Sequence, residues 1–366
     1  MKSTRVSVTK RILLIIPTWF CISIQQGLAQ QSVLAVEDQF AIQAVANPKI
    51  STDEKWVAYT IRTTSLEMEK SETRLWMIST SGGDPIPMTS SGYSVSNVEW
   101  RPGGNQLSFI AAKNSEESQV WTLDLRGGEA QQITSVNQGV RSYVWSPDGS
   151  KLLLTLQDPE EESKDSEETP DPWVITRLQI KRDGQGYLTD SRRSHLYTFH
   201  PETETLTQIT SGRWDESQPS WSPDGQLIAF VSNRTEDPDA NSNSDIWIVP
   251  ADNTDKGQIL LQLTTYPGSD SSPSWSPDGK WITYVTDDTD PQFSSLSVNQ
   301  LAVVSSEGGT REFIHSDLDR NVRNPQFDSS GENILVSIED SGERYLGKVN
   351  LVNSDVERVS AEGHSM

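Results

Sequence analysis

Short runs of alternating residue character recur along the chain, and each run follows the same kind of tight turn. In the segment 221–232 a tryptophan precedes Ser-Pro-Asp-Gly, and the residues after Gln226 have the period of two that is typical of a β-strand. Pro223 fixes φ at the first central turn position, Asp224 can cap the turn, and Gly225 occupies a position where a Cβ would be costly. The segment therefore predicts a strand end, a turn and a second strand.

Six copies of this unit can be aligned by eye. Their turns are 51–54, 101–104, 146–149, 222–225, 276–279 and 328–331. A large apolar residue precedes each turn, which suits packing between neighbouring sheets: Ile50, Trp100, Trp145, Trp221, Trp275 and Phe327. The spacings between these residues are 50, 45, 76, 54 and 52.

Each unit contains enough strand-like segments for a four-stranded sheet. The second strands are predicted at 56–59, 107–111, 152–156, 227–231, 281–285 and 334–338, and the third strands at 74–79, 119–125, 195–199, 245–249, 300–304 and 345–349. Short fourth strands, most of which end in a hydroxyl residue, are predicted at 86–89, 132–134, 208–210, 262–264, 312–314 and 358–360.

Four strands repeated at this spacing predict an all-β fold, a β-propeller with six recognisable four-stranded blades. Neighbouring blades must cover each other, so most tryptophans are interpreted as packing residues. The only helical candidate is 36–45.

Three stretches depart from the repeat. The segment 158–171 is strongly acidic and predicts a solvated, mobile loop. The segment 173–195 is an insertion in the third blade with an expected hairpin turn at Asp183-Gly184, and 236–245 is a loop rich in Asp and Asn.

The N-terminus has the pattern of a secretory signal. A basic start precedes an apolar run at 12–24, and the small residues Gly27 and Ala29 suit a cleavage site. The predicted organisation is a signal peptide at 1–29, a lead-in segment at 30–46, the propeller at 47–361 and a tail at 362–366, in a periplasmic or secreted protein. An uncleaved N-terminal anchor and a lipoprotein modified at Cys21 are the alternatives; bulky residues before Cys21 disfavour the second.

Charge and cysteine content narrow the possible partners. The formal net charge is −22, and nucleic acids and anionic membranes are poor partners for such a surface. Cys21, the only cysteine, lies in the signal segment, so the mature chain is expected to have no disulfide, thiol nucleophile or cysteine metal site.

No motif assigns chemistry to the chain. The nucleophile signal Gly-x-Ser-x-Gly is absent, and the nearest segment, 92–96, lacks the second glycine and lies between two blades. The histidines are His195, His200, His315 and His364, and none has a His or Cys neighbour at metal-ligand spacing. A triad assembled across blades remains an alternative, because triads are defined by geometry.

The segment 237–245 alternates oxygen-bearing side chains as a calcium loop does, but it has Ser242 where the central glycine is required and lacks the closing glutamate. A solvated loop is the preferred interpretation, with calcium as the alternative. We therefore assign no catalytic, cofactor-binding or metal-binding residue, and we expect no cofactor.

The repeat resembles the propellers of TolB-like proteins (WD40-like repeats) and the N-terminal propeller of the prolyl oligopeptidase (S9) family of serine peptidases. The segments 172–188 and 192–197 are similar to a third-blade insertion in the acylaminoacyl-peptidase and dipeptidyl-aminopeptidase-like branch, and the 236–247 loop is similar to that branch too. The resemblance implies a propeller, usually of about seven blades, that precedes an α/β-hydrolase domain and screens peptides by size.

No catalytic position of that family can be matched here, and Glu160-Glu161-Glu162 is better interpreted as part of the acidic loop than as an amino-terminus anchor. Whether the protein is an enzyme is left open, and this chain is predicted to be inactive alone. The leading hypothesis is a non-catalytic, peptide-binding cap of a secreted S9-type peptidase, truncated before or separated from its hydrolase domain. The alternative is a stand-alone TolB-like periplasmic scaffold that binds a protein. Peptides, a hydrolase domain or a protein are the expected partners, without stable membrane insertion after signal cleavage.

Overall fold

The fold is an all-β propeller of six four-stranded antiparallel sheets. The computed structural model describes residues 35–67, 69–112, 117–159, 178–183, 186–187, 192–287, 297–314 and 318–361. Within these ranges the only helix is a short 3₁₀ turn, Val36–Phe40, and no helix long and apolar enough to span a membrane occurs in them. The predicted signal, the tail and most of the acidic loop lie outside the described residues.

The blades follow one another along the chain. Blade 1 consists of β1 (Ala44–Ile50), β2 (Trp56–Ser65), β3 (Lys70–Ser79) and β4 (Ile86–Pro87). Blade 2 consists of β5 (Ser96–Trp100), β6 (Gln106–Ala111), β7 (Gln119–Asp124) and β8 (Gln131–Gln132). Blade 3 consists of β9 (Ser142–Trp145), β10 (Leu152–Gln157), β13 (Ser194–His200) and β14 (Thr205–Gln208). Blade 4 consists of β15 (Ser217–Trp221), β16 (Leu227–Ser232), β17 (Asp245–Pro250) and β18 (Leu261–Gln262). Blade 5 consists of β19 (Asp270–Trp275), β20 (Trp281–Thr286), β21 (Gln300–Ser305) and β22 (Glu312–Phe313). Blade 6 consists of β23 (Val322–Phe327), β24 (Asn333–Asp340), β25 (Glu343–Asn350) and β26 (Val356–Arg358).

The first strands of successive blades contact one another, so they line the axis of the propeller. The loop face, as we call it, carries the connections between second and third strands and the connections from one blade to the next. The opposite turn face carries the turns between first and second strands. The predicted third-blade insertion leaves the loop face and forms the hairpin of β11 (Lys181–Arg182) and β12 (Gly186–Tyr187). Of its predicted turn, Gly184 lies outside the described residues.

The predicted second and third strands are confirmed, but the fourth strands end about two residues earlier than predicted. The hydroxyl residues that were assigned to them lie just beyond the strand ends and accept a backbone N–H from the third strand. These bonds join Leu75 to Thr89 (3.0 Å), Val120 to Thr134 (2.9 Å), Leu196 to Thr210 (2.9 Å), Ile246 to Thr264 (2.9 Å) and Leu346 to Ser360 (3.1 Å). A side-chain oxygen thus replaces the carbonyl that a longer strand would supply.

The helical prediction for 36–45 was only partly correct. The 3₁₀ turn ends at Phe40, and β1 begins at Ala44, where the chain pairs with β2. Pairing with a neighbouring strand satisfies the backbone that a helix would otherwise satisfy internally.

The turns explain the recurrence of Ser-Pro-Asp-Gly. In the third blade Ser146 Oγ donates to Asp148 Oδ1 at 2.6 Å and accepts the Lys151 N–H at 2.9 Å, while Gly149 has a φ of 68°. The turn glycine also faces the turn of the preceding blade, because a Cβ added at Gly225 would lie 3.6 Å from Pro147 Cδ.

The apolar core lies between blades. Five clusters of buried side chains join blades 1 and 2, 2 and 3, 3 and 4, 4 and 5, and 5 and 6. The predicted packing role is confirmed for Trp100, Trp145, Trp221 and Trp275, which are buried.

No cluster of the described residues joins blade 6 to blade 1. Consistently, β10 is buried on both faces, whereas β24 alternates between buried and half-exposed residues. Ile50 was predicted to pack between sheets like the tryptophans, but it is 62% exposed because no blade covers that side of blade 1. Within the described residues, blades 1 and 6 each have one face without a neighbouring blade.

Candidate functional site

Blades 3 to 5 differ from the other blades at one repeated position on the loop face. At or just before the first strand of each of blades 2 to 6, one N–H donates to a carbonyl near the start of the third strand of the preceding blade. The residues with this N–H are Val95 (2.8 Å), Val140 (2.6 Å), Glu216 (2.8 Å), Asp270 (2.8 Å) and Val322 (3.1 Å). Three blades bury a valine here and two bury a carboxylate, each 1% exposed. A buried charge is costly unless it is paired or protonated. The two buried acids therefore mark blades 3 to 5, which we call the sector, as the candidate site.

Glu216 is the centre of a buried charged network. Its Oε2 lies 2.6 Å from His195 Nδ1 and accepts a hydrogen bond from Thr210 Oγ1 at 2.9 Å, and its Oε1 accepts from Arg234 Nη2 at 2.5 Å. The Arg234 side chain is only 8% exposed. A guanidinium, an imidazole and a hydroxyl thus supply hydrogen-bond partners that compensate the burial of the carboxylate.

His195 is held between carboxylates on both sides. Its Nε2 lies 3.5 Å from Asp158 Oδ1, opposite the contact to Glu216. Burial disfavours the imidazolium, but the hydrogen bond and charge of Glu216, with the charges of Asp158 and Asp215, outweigh it and raise the pKa of His195. The sequence singled out this histidine for its rarity, and the structure places it in a charge network.

Asp245 and Asp270 form a second buried pair one blade further. Burial and the charge of Asp270 raise the pKa of Asp245 to about 7, against hydrogen bonds from Gln262 and Thr264. Burial raises the pKa of Asp270 to about 6, while the hydroxyls of Thr286 and Thr264 and the charge of Arg311 oppose this rise. Burial thus raises both pKa values towards neutral pH, and the charge of Asp270 adds to the rise at Asp245.

A polar cavity of about 350 Å³ opens on the loop face of the same sector. It is lined by Arg193, Arg213, Trp214, Asp215, Gln218 and Asp239, together with serines at the ends of strands of blades 4 and 5. We call it the sector pocket. Its volume falls in the range of small-ligand sites.

Trp214 connects the sector pocket to the buried network. The Arg213 guanidinium lies 5.3 Å from the Trp214 ring centroid, and the Arg234 guanidinium lies 4.8 Å from it. Arg213 Nη2 also donates to the Glu236 carbonyl at 3.0 Å. Arg193 forms an ion pair with Asp215, with 3.0 Å between Nη1 and Oδ2.

The other residues considered from the sequence do not join this site. His200 lies at the end of β13, and neither it nor His195 hydrogen-bonds a serine within the described residues, while His315 and His364 lie outside them. The segment 92–96 connects blades 1 and 2 as predicted, and its Tyr93 ring packs edge-on against Trp121 at 5.8 Å.

The loop proposed as a calcium alternative is tied together by amides. Asn233 Nδ2 donates to Asn241 Oδ1 at 3.0 Å, and Asn241 Nδ2 donates to the Asp237 carbonyl at 2.7 Å. The Asp239 carboxylate accepts backbone N–H groups of Leu178 and Gln179. In the part of the chain that the structure describes, no three acidic or histidine side chains converge as metal ligands would.

Sequence reasoning overlooked Glu216, Asp270, Arg213 and Trp214. The first two could have been found by comparing the repeats position by position, because an acid replaces a valine in the same connection. The arginine and tryptophan carried no such signal, since their roles depend on neighbouring blades meeting in space.

The chain is similar to known peptidases and propellers, although no protein-family model matches it. It is 29% identical over 224 residues to an uncharacterised peptidase, YuxL, of Bacillus subtilis, which covers 60% of this chain and 34% of that protein. The chain thus spans about a third of the length of this relative.

Solved structures share the fold at low sequence identity. Acylaminoacyl peptidase from Pyrococcus horikoshii has a TM-score of 0.68 and 16% identity, over 88% of this chain and 47% of that chain. TolB from Acinetobacter baumannii has a TM-score of 0.50 and 14% identity, over 91% of this chain and 84% of that chain. The predicted resemblance to S9-type and TolB-like propellers is confirmed: the chain is a β-propeller that resembles those of acylaminoacyl peptidase and TolB.

Proposed function

We propose that this propeller is the non-catalytic, peptide-binding cap of a secreted S9-type serine peptidase whose catalytic residues belong to a separate α/β-hydrolase domain. It would carry the signal peptide at 1–29, so that the propeller operates in the periplasm or outside the cell. Its contribution to the reaction would be to admit short peptides, hold them near the hydrolase and exclude folded proteins.

The sequence match to the peptidase YuxL is the observation that carries this proposal. A propeller that matches only a third of a peptidase corresponds to a part of that enzyme, and the likeness to about half of an acylaminoacyl peptidase points the same way. The sector pocket supports a binding role, because it offers charged, amide and hydroxyl groups that can pair with a peptide backbone.

A capture experiment tests the proposal. The full chain, tagged, is captured from an extracytoplasmic extract, labelled with a fluorophosphonate probe for reactive serines, and assayed with short peptides and with a folded protein. We expect no label and no turnover on this chain alone, and a labelled partner whose complex cleaves the peptides but spares the folded protein. Label or turnover on the purified chain would contradict the proposal.

The second candidate is a stand-alone protein-binding scaffold. The TolB likeness favours it, because this chain covers most of that solved chain rather than half of it. Capture of a stable partner without a reactive serine, and of no serine hydrolase, would favour the scaffold.

A further inference from the structure

We propose that the sector pocket recognises a carboxylate on the bound peptide and that Arg213 is the residue that recognises it. The inference rests on the proposed function in one respect, since it takes a peptide as the ligand class. The carboxylate can belong to the chain terminus of the peptide or to an acidic side chain. Both sources present the same planar anion.

The charges around the pocket leave one guanidinium uncompensated. Arg193 is paired with Asp215, and the buried Arg234 is paired with Glu216. Arg213 is exposed and forms no ion pair among the described residues, although acidic residues greatly outnumber basic ones in this chain. An exposed cation in such a chain is the natural contact for an anionic ligand group.

Arg213 is also oriented before any ligand arrives. Its guanidinium lies against the Trp214 ring and is anchored through Nη2 to the Glu236 carbonyl. That bond uses one of its five N–H groups and leaves the others free for a planar, two-point contact. Orientation in advance reduces the conformational entropy that binding must overcome.

Other groups of the pocket suit a carboxylate oxygen. Ser217 and Ser271 line the cavity, and their hydroxyls donate no hydrogen bond within the described residues. Gln218 is held in place, because its Oε1 accepts the Ser272 N–H at 2.5 Å.

The pocket favours one negative charge over two. Asp215 and Asp239 also line it, and Asp239 keeps its carboxylate beside the backbone N–H groups of the insertion. A phosphate group carries close to two charges at neutral pH and would be repelled by both aspartates. A single carboxylate matches the one uncompensated guanidinium.

Calorimetric titration of the full chain, without any hydrolase, tests the inference. The probes are tetra-alanine with a free C-terminus, its C-terminal amide, and acetyl-Ala-Glu-Ala amide, whose only charge is a side-chain carboxylate. We expect at least one of the two peptides that carry a carboxylate to bind about tenfold more tightly than the tetra-alanine amide. We also expect the affinity of that peptide to fall as salt is added. The acid that binds identifies the source of the carboxylate.

Two variants at Arg213 and one matched control complete the test. Arg213→Gln should lower the affinity for the acid about tenfold and leave the amide unaffected, and Arg213→Lys should have an intermediate effect. Arg62→Gln, at an exposed arginine of blade 1, should change nothing. Because Arg213 is exposed, a thermal melt should show that the variants remain folded.

Equal affinity for acid and amide, no binding of either acid, or wild-type affinity in Arg213→Gln would overturn the inference. These outcomes are separate from the capture experiment. Acid-selective binding, together with failure to capture a hydrolase, would support the carboxylate pocket and contradict the proposed peptidase cap. Capture of a hydrolase, together with no preference for the acid, would support the cap and contradict the carboxylate pocket.

Discussion

At the scale of single residues, the informative feature is where charge is buried. Glu216 and Asp270 occupy equivalent positions, yet their burial is compensated in different ways. Glu216 has an imidazole and a guanidinium beside it. Asp270 lies near Asp245 instead, and burial raises the pKa of both carboxyl groups.

Stability should therefore fall as the pH rises through the range in which the aspartate pair loses its proton. The folded pKa values of about 7 and about 6 lie above the unfolded value, so the folded state binds more protons between pH 4 and 7. At about 1.4 kcal/mol per pKa unit, the free energy of unfolding should decrease across this window by up to about 7 kcal/mol. His195 adds a loss of the same sign above its own unfolded value, because its pKa is also raised.

Urea unfolding at pH 4.5 and pH 8 measures this effect. Asp270→Asn removes one carboxylate of the pair, so its decrease in stability between the two pH values should be clearly smaller than that of the wild type. Asp237→Asn, at an exposed residue of the adjacent loop, is the control and should behave as the wild type. An equal decrease in stability between the two pH values in Asp270→Asn and Asp237→Asn would contradict the assignment of this effect to the aspartate pair.

At the scale of the structural element, the hydroxyl after each fourth strand compensates for the shortness of that strand. Thr134 shows the arrangement in full, because its Oγ1 accepts the Val120 N–H and donates to Gln119 Oε1 at 2.8 Å. In the fifth blade the position of this hydroxyl falls on His315, outside the described residues. The residue before it, Ile314, corresponds to Ile133, and its N–H donates to the Leu301 carbonyl at 3.0 Å. The hydrogen bond between the backbones of the third and fourth strands is thus present in all six blades. The bond to a hydroxyl side chain is present in five blades of the described residues.

Thr134→Val should destabilise the protein by roughly 1–3 kcal/mol, because the valine leaves the buried Val120 N–H without its partner and removes one of the two hydrogen bonds that Gln119 Oε1 accepts. Thr134→Ser retains the hydroxyl and should cost much less. Denaturant midpoints of the two variants provide the comparison. Equal midpoints would mean that packing of the methyl group, rather than the hydrogen bonds, determines the role of Thr134.

At the scale of the whole molecule, the main feature is the pair of uncovered blade faces. An apolar cluster joins each pair of successive blades, whereas blades 1 and 6 share no core cluster in the described residues. Blade 1 also has Glu54 at a φ of 58°, where blades 3 to 6 have a turn glycine beside a proline of the preceding blade.

We expect the isolated chain to associate or to be poorly soluble through this apolar side of blade 1. Sedimentation velocity over a range of concentrations should show self-association. Ile50→Lys should reduce it, because Ile50 is an exposed apolar residue of β1. Val352→Lys, at an exposed turn of blade 6, is the matched control. A monodisperse, cooperatively melting wild-type monomer would contradict this expectation.

The sequence determined the repeat, and through it the fold. Turn chemistry at Pro223, Asp224 and Gly225 is local, and strand periodicity is local too, so both can be read without knowing which strands meet. The burial of Trp100 and Trp145 followed from the need of stacked sheets to cover each other. The departure from the repeat in the third blade predicted the insertion, and the turn residues Asp183-Gly184 predicted its hairpin.

Only the tertiary structure decided which residues form the candidate site and which blade faces stay uncovered. Arg213 and Trp214 look like ordinary loop residues until strands from three blades bring Asp215, Gln218 and Asp239 around the same cavity. Asp245 and Asp270 become a proton-binding pair only because two blades press them together away from water. Charge pairing, burial and uncovered surface depend on distances between segments far apart in the chain, whereas turns and strands depend on neighbours along it.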